Sequence, residues 1–462
     1  MKLSGLVLVA AAALAAGCVS VDRDAARAVA ALRAGDDATA AAWAADLATN
    51  SSYSAALGTV EAGRVSLLAG DFPAAEAWFR QAVDSAIDRS EAQPKIKIGD
   101  VGNTVLASTI TDDRTRNYEL APYELNLALQ YGIVAQAMNG RLDAALVDAR
   151  LAVYVQDTLA TTYGADIEAN GSSTNAAAQD IYVQQSENLQ AMMAGTRNSW
   201  ENPLLWWLTG VMFEANGERD FAEPSYRKAL AIAPDNPVFA ADVARIARTA
   251  TPTGGCAKLV VVFDEGLVQL RESMKIPVPI YTGMAIDIPM YRGAAYVPST
   301  VAVAGSSDLV AAAPAMNVQA LAARDLKERL VGIITRNVTR CAVQAAAQAA
   351  VNAAGNEYAK IAVFAANAVI SAIRRADTRS WVTLPGGAQV WSDASMAPGV
   401  YDVRIEYAGT TESFRTPLAA GETRLLYVAA PGSRMRGMSC TLGGKGATPA
   451  YEKHVIVTKE AK

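Results

Sequence analysis

The stretch that decides the fold of the N-terminal half reads WWLTGVMFEANGERDFAEPSYRKALAIAP, residues 206–234. Gly210 and Ala222 are small residues that let two consecutive helices approach closely, and Gly217 lies where the chain turns between them. Pro234 ends the second helix because proline cannot donate a backbone hydrogen bond. The space between the two helices is filled by Trp206, Phe213 and Tyr226. Ala229 is small and leaves room for the next helix to pack closely. The spacing predicts a pair of packed helices.

This stretch resembles the tetratricopeptide repeat, a 34-residue helix–turn–helix unit with the pattern W-x2-L-G-x2-Y, then A-x3-F, then P. Weaker copies of the pattern lie upstream, and Gly35 and Gly70 are one repeat length apart. Those copies contain Gly35, Ala40 and Ala44, then Gly63, Gly70, Ala75, Phe79 and Ala82, then Gly140, Ala145, Ala149 and Ala152. The resemblance implies an α-solenoid over the N-terminal half. The wider spacing of the later copies leaves two segments, at about residues 84–118 and 158–202, that are either insertions or diverged repeats.

Stacked repeats of this kind leave a concave groove that binds a peptide or a partner protein. Polar residues on the first helix of one repeat are candidates for lining it: Glu124, Asn126, Gln130 and Gln136. A solvated helix face gives the same sequence pattern, so both interpretations stand.

The composition changes near residues 251–255, where β-type sequence begins. The expected strands include residues 258–263, 267–274, 285–290, 299–304, 381–384, 388–391, 401–407, 412–416 and 423–429. Asp264 to Gly266 is typical of a hairpin turn, and residues 401–407 alternate between apolar and polar side chains. We therefore expect a small antiparallel sandwich or half-barrel.

An alanine-rich helical segment at about residues 317–376 interrupts these strands. Helical spacing before and after Gly355 predicts a hairpin of two helices. Charged side chains such as Arg336, Arg340 and Glu357 argue against a membrane span. The run Asp377 to Trp381 that follows has two interpretations: contact with a sugar or peptide, or a helix end, a local Asp–Arg pair and the start of a core strand.

The N-terminus has a charged Lys2, an apolar run from Leu6 to Ala16 and small residues before Cys18. It resembles the bacterial lipoprotein signal, in which the cysteine is lipidated and becomes the first mature residue. The family usually has leucine three residues before the cysteine, where this chain has Ala15. The alternative is an ordinary secretory signal cut at an Ala-x-Ala site. Val19 after the cysteine resembles an outer-membrane address.

The composition limits the classes of function. The 462 residues carry a net charge of −5 without a basic run, so we expect no nucleic-acid partner. The chain has a single histidine, His454, and lacks nucleophile, metalloprotease and phosphate-loop motifs. We therefore expect no enzyme activity, no cofactor and no metal site. Among Cys256, Cys341 and Cys440, a bridge between the first and last is one possibility, and three buried free thiols are the other.

Five segments together resemble an uncharacterised family of bacterial envelope lipoproteins that contain tetratricopeptide-like repeats. They are residues 118–150, 202–229, 259–280, 322–326 and 376–381. The resemblance implies a signal peptide over residues 1–17, a helical repeat domain over 18–250 and a β-sandwich-like domain over 251–462. It implies no established activity.

These features favour an interaction protein: a lipid-anchored scaffold of the outer membrane that faces the periplasm. Its repeat groove would hold another envelope protein in cell-envelope or peptidoglycan biogenesis. The alternative is a module that binds a glycan or peptidoglycan through the β half, with Trp391 or Tyr401 exposed to the sugar.

Overall fold

Helices fill the N-terminal half of the chain and sheets most of the C-terminal half, which confirms the predicted α+β class. The computed structural model describes residues 23–444 apart from residues 52, 89–94, 97–113, 115, 249–254, 282, 306–308, 356, 362 and 364–374, and it also describes residues 451–452. Cys18, Val19 and His454 lie outside the described residues.

The helical half consists mainly of sequential antiparallel pairs. The helices are α1 (residues 23–34), α2 (Asp37–Asn50), α3 (Ala55–Ala69), α4 (Phe72–Ala86), α5 (Pro122–Met138), α6 (Leu142–Asn170), α7 (Ala176–Gln190), α8 (Pro203–Ala215), α9 (Arg219–Ile232) and α10 (Pro237–Ile246). Much of the second predicted insertion is thus helix rather than loop. A two-stranded ribbon of β1 (Ile87–Asp88) and β2 (Lys95–Ile96) follows α4.

Two helix pairs share one packing device. A Cβ atom added at Gly63 of α3 would lie 2.8 Å from the Phe79 ring of α4, and one added at Gly210 of α8 would lie 2.7 Å from the Tyr226 ring of α9. Each glycine is sixteen residues before its aromatic partner (63 to 79 and 210 to 226). Both rings therefore occupy the space that a side chain at the glycine would need, as the sequence predicted for residues 206–234.

The β half contains three further sheets. The strands are β3 (Ala257–Glu265), β4 (Glu272–Pro277), β5 (Ala285–Met290), β6 (Val301–Ala304), β7 (Val310–Ala311), β8 (Ala313–Asn317), β9 (Gly387–Met396), β10 (Gly399–Tyr407), β11 (Thr410–Leu418), β12 (Glu422–Ala430), β13 (Arg436–Gly444) and β14 (Tyr451–Glu452). They form a six-stranded sheet (β14-β13-β12-β3-β9-β8), a four-stranded sheet (β11-β10-β6-β7) and the pair β4-β5.

The six-stranded sheet is buried on both faces. Val260 and Val262 of β3 belong to the core that the sheet shares with the helices, whereas Leu259 and Val261 belong to a second core shared with the four-stranded sheet. Alternate side chains of a strand point to opposite faces, so β3 reads as a continuous apolar run. The first core runs without interruption from Leu32 in α1 to Leu442 in β13.

Several sequence predictions for the β half are wrong. Asp264 to Gly266 does not form a hairpin, because β3 pairs in parallel with β12 and antiparallel with β9. The sheet is therefore mixed. Residues 267–271 are irregular, and the second strand begins at Glu272. Residues 381–384 form a turn rather than a strand. Among the described residues, no disulfide joins Cys256, Cys341 and Cys440, and only the last two are buried.

The alanine-rich segment begins with one long helix, α11 (Val318–Ala353). Its first part is buried against α7 and β5, whereas residues 342–353 are partly or fully exposed. Gly355 follows with a φ of +70°, in the left-handed region. Residues 357–361 are helical again, and most of the predicted second arm lies outside the described residues.

Candidate functional site

Helix α5 is the centre of the candidate site because every one of its residues is buried. It packs between α4 and α6, and strand β13 of the six-stranded sheet also contacts it. Neighbouring helices and a strand of the β half thus cover α5, which leaves none of its residues exposed.

The four predicted groove residues do not line an open surface. Each is buried and bound to another part of the chain. Asn126 donates to the Trp200 carbonyl oxygen at 2.6 Å, the Gln130 Oε1 accepts from Asn202 at 2.9 Å, and Gln136 donates to Asp148 at 2.6 Å. The prediction that they are available to a partner is wrong, since a polar helix face can be satisfied by internal hydrogen bonds as well as by water.

The fourth, Glu124, belongs to a carboxylate clasp around residues 376–384, which we call the groove segment. Its Oε1 accepts the Trp381 backbone N–H at 3.1 Å. Glu61 of α3 accepts the next two N–H groups, from Val382 at 2.7 Å and Thr383 at 3.2 Å. Three consecutive backbone donors therefore bind helix carboxylates in place of a neighbouring strand, which explains why residues 381–384 are not β.

The Trp381 ring occupies the middle of this clasp. It is 0% exposed, and its centroid lies 6.1 Å from each of the Phe79 and Tyr131 ring centroids. Its Nε1 donates to Thr383 Oγ1 at 2.9 Å, so the buried ring has a polar partner. The local Asp–Arg pair of the structural interpretation is confirmed, since Asp377 pairs with Arg379 at 2.7 Å. The expectation that Trp381 begins a strand is wrong, although its ring is in the core as that interpretation held.

Within the part of the chain that the structure describes, Glu61 forms no ion pair. Burial raises the pKa of Glu61 to about 8, and Glu124 adds to this, although hydrogen bonds from Thr383 and Val382 act in the opposite direction. The Tyr118 and Tyr123 hydroxyls donate to Glu124 at 2.7 and 3.1 Å. The clasp is held by hydrogen bonds to acids rather than by ion pairs.

A second buried cluster joins α3 and α5 to the six-stranded sheet. Arg64 pairs with Asp264 at 2.9 Å, and both side chains are 1% exposed. The Tyr131 and Tyr427 hydroxyls donate to the same Asp264 oxygen at 3.0 and 2.5 Å. Burial raises the pKa of Asp264 even with Arg64 beside it.

A third cluster lies where α8 and α10 meet strand β3. Lys258 is 0% exposed, and its Nζ lies 3.0 Å from Glu214 and 2.7 Å from Asp242. Arg245 pairs with both carboxylates, and Trp207 donates to Asp242 at 2.8 Å. Burial alone would raise the pKa of Glu214 and Asp242, but Lys258 and Arg245 outweigh it and lower the pKa of both.

These clusters have in common that each joins a helix to the β half through a buried charged residue. Sequence reasoning missed Glu61, Arg64, Lys258 and Asp264. A signal existed in each case: Glu61 and Arg64 interrupt the otherwise uncharged run of α3, and Lys258 and Asp264 flank an apolar strand. Buried ions of this kind require partners elsewhere in the fold. Each cluster therefore holds the helical half against the β half through buried hydrogen bonds and ion pairs.

Other predicted contacts take different places. Trp391 and Tyr401 are partly buried against the second core, and the Tyr401 hydroxyl donates to the Ala397 carbonyl at 2.7 Å. Among the described residues, no group of three or more acidic, cysteine or histidine side chains converges as metal ligands would. Within the same residues, no helix combines the length and hydropathy that crossing a membrane requires.

No family model matches the chain, and neither a curated protein nor a solved structure is significantly similar to it.

Proposed function

We propose that this protein is a lipid-anchored periplasmic scaffold of the outer membrane that holds another envelope protein. The helical half would be a tetratricopeptide-like solenoid, as the repeated glycine–aromatic contacts at Gly63 and Gly210 suggest. The two sheets that share the second core would form a sandwich-like domain. Because the four predicted groove residues are buried, the partner is expected at a different surface from the one that the repeat pattern indicates.

The observation that carries the proposal is the free edge of β11. This strand is terminal in the four-stranded sheet, and no other described strand pairs with its outer edge. Its pairing with β10 runs through nine residues without a bulge, from Tyr407 opposite Thr410 to Gly399 opposite Leu418. An edge strand presents N–H and C=O groups that an added strand can pair with. Pro417 has no N–H, so the donors of this edge belong to the residues before it.

The edge also has the side-chain pattern of a strand-addition site. Phe414 and Leu418 are buried in the second core, whereas Thr411 and Ser413 are exposed. An extended partner segment that alternates apolar and polar residues would continue both faces of the sheet. The expected partner at this edge is therefore an extended segment of an envelope protein.

A site-specific crosslink tests this assignment in the lipidated protein. A photoreactive residue at Thr411 would identify the partner segment, which is then synthesised and titrated against the purified full chain. We expect binding to protect the amides of residues 410–416 from hydrogen exchange. The double variant Thr411→Lys/Ser413→Lys should bind at least about tenfold more weakly, since edge lysines oppose strand addition.

The matched control adds two lysines to an exposed helix, as Gln184→Lys/Asn188→Lys in α7. Equal affinity of the two double variants, or binding without protection of β11, would reject the edge as the docking site. The anchor is tested separately by mass spectrometry of the mature N-terminus. Lipid on Cys18 supports the proposal, and a free amine on another residue removes the anchor.

A further inference from the structure

A cavity of about 380 Å³ lies between the start of α3, the end of α4 and residues 117–120. Small-molecule sites usually enclose roughly 300–1,000 Å³. The cavity is distant in sequence from β11 and belongs to the helical half, so it is independent of the proposed scaffold surface.

The polar groups of the cavity are rich in hydrogen-bond acceptors. Thr59 and Ser85 both line it, and each hydroxyl already donates its proton to a backbone carbonyl of its own helix at 2.7 Å. Their remaining capacity is to accept. Glu119 is the one charged residue among the described residues of the lining, and it also accepts. The ligand should therefore donate hydrogen bonds and carry no negative charge.

The apolar part of the lining includes an exposed aromatic ring. Tyr53 is 47% exposed, and three alanines, Ala55, Ala56 and Ala86, line the cavity with it. An aromatic ring offers a broad apolar surface with a polar tip. A pyranose ring has the complementary shape, since its C–H groups form a flat apolar face and its hydroxyls form a donating edge. The amides of Gln81 and Asn117 add partners that can both donate and accept.

A residue of the β half holds the cavity wall in place through hydrogen bonds. Arg379 of the groove segment donates to the Tyr53 carbonyl at 2.8 Å and to the Arg116 carbonyl at 3.1 Å. Asp377 holds the guanidinium, and the Tyr118 N–H donates to the Tyr53 carbonyl at 2.7 Å. Two chain segments that flank the cavity are thus tied together before any ligand arrives, which reduces the ordering that binding requires.

We infer that this cavity binds an uncharged saccharide, with Tyr53 stacking on a sugar face and Glu119, Thr59 and Ser85 accepting from its hydroxyl or acetamido groups. The probes are tri-N-acetylchitotriose and maltotriose as neutral trisaccharides and trigalacturonic acid as an anionic one. Each is titrated calorimetrically into the detergent-solubilised full chain. We expect one or both neutral trisaccharides to bind and the anionic one to bind at least about tenfold more weakly, because Glu119 repels it.

Tyr53→Ala should weaken binding of the neutral sugar about tenfold or more. Tyr358→Ala is the matched control, because Tyr358 is 88% exposed on the helix of residues 357–361 and does not line the cavity. Gln81→Ala, on the exposed side of α4, provides a second cavity variant if Tyr53→Ala alters the melting curve. Absence of binding by both neutral trisaccharides, or equal affinity of the cavity variants and the Tyr358 control, overturns the inference. Neither result bears on the β11 edge.

Discussion

The clasp around Trp381 and the cluster around Lys258 join the same two halves of the molecule with opposite charge arrangements. In the clasp, Glu61 and Glu124 face backbone N–H groups, and burial raises the pKa of Glu61 to about 8. In the Lys258 cluster, two carboxylates share a buried ammonium, and their pKa values are lowered. The comparison shows that a buried acid can be accommodated either by protonation or by a neighbouring cation, and that the two solutions respond to pH in opposite directions.

The largest expected effect is at the ion-paired site. Lys258→Met removes the ammonium and leaves Glu214 and Asp242 buried with only Arg245 between them. We expect the free energy of unfolding in urea to fall by about 3–5 kcal/mol, since an uncompensated buried charge is strongly destabilising. Lys228→Met is the control, because this lysine also pairs with an aspartate but both side chains are more than half exposed. A loss of similar size in the control would show that the buried pairing has no special role.

The contacts of Gly63 with Phe79 and of Gly210 with Tyr226 allow a test of the packing device that the two helix pairs share. Gly63→Ala and Gly210→Ala should each lower the free energy of unfolding by about 1–3 kcal/mol, because the new methyl group would overlap the Phe79 or Tyr226 ring. Gly164→Ala in α6 should instead raise stability by about 0.5–1 kcal/mol, since its Cβ would meet Trp200 at an ordinary 3.4 Å. Equal effects at the three positions would contradict the shared packing device.

The pH response of the clasp distinguishes it from the ion-paired cluster. The folded pKa of Glu61, about 8, lies above the ordinary value of 4.5, so the folded chain retains a proton that the unfolded chain loses. Its contribution to stability is therefore complete below about pH 4.5 and is lost as the pH rises to about 8. Glu61→Gln should remove a fall on the order of 2 kcal/mol between pH 5 and pH 8, as measured by urea unfolding. Identical pH profiles for the variant and the parent would show that Glu61 is not the titrating group.

The contribution of the Lys258 cluster to stability should change at acidic pH, and this change should be smaller than that of the clasp. The lowered pKa of Asp242 contributes stability that is present above its ordinary value of 3.8 and is lost as the pH falls through the folded value. Asp242→Asn should flatten the decline below about pH 4 by about 1 kcal/mol. The measurement is the urea midpoint at a series of acidic pH values. If the variant and the parent lose stability equally as the pH falls, Asp242 does not contribute to acid unfolding.

Local packing explains what the sequence could predict. The contact between Gly210 and Tyr226 joins neighbouring helices, so residue size and spacing reveal it, and the alternation of residues 401–407 reveals β10 in the same way. Contacts between distant residues do not leave such a pattern. Asn126 meets Trp200 and Glu124 meets Trp381 across 74 and 257 residues. A polar helix face that turns inward therefore has the same sequence signature as one that turns to water.

The structure of the groove segment also depends on contacts that its own sequence does not reveal. Residues 381–384 are apolar enough for a strand, but the partners of their N–H groups are the carboxylates of Glu61 and Glu124. Strand propensity depends on the surroundings more than on the backbone itself. The position of the segment is decided by the burial of Trp381 between Phe79 and Tyr131 rather than by its own preference.

Native-state hydrogen exchange of the full chain tests most directly whether helices α3 and α5 hold the groove segment in the interior. If Glu61 and Glu124 bind this segment as described, the amides of Trp381, Val382 and Thr383 should exchange only through global unfolding, as slowly as those of strand β3. Exchange of these three amides at the rate of exposed loop amides, with β3 still protected, would show that the carboxylates do not hold the segment and would contradict the account.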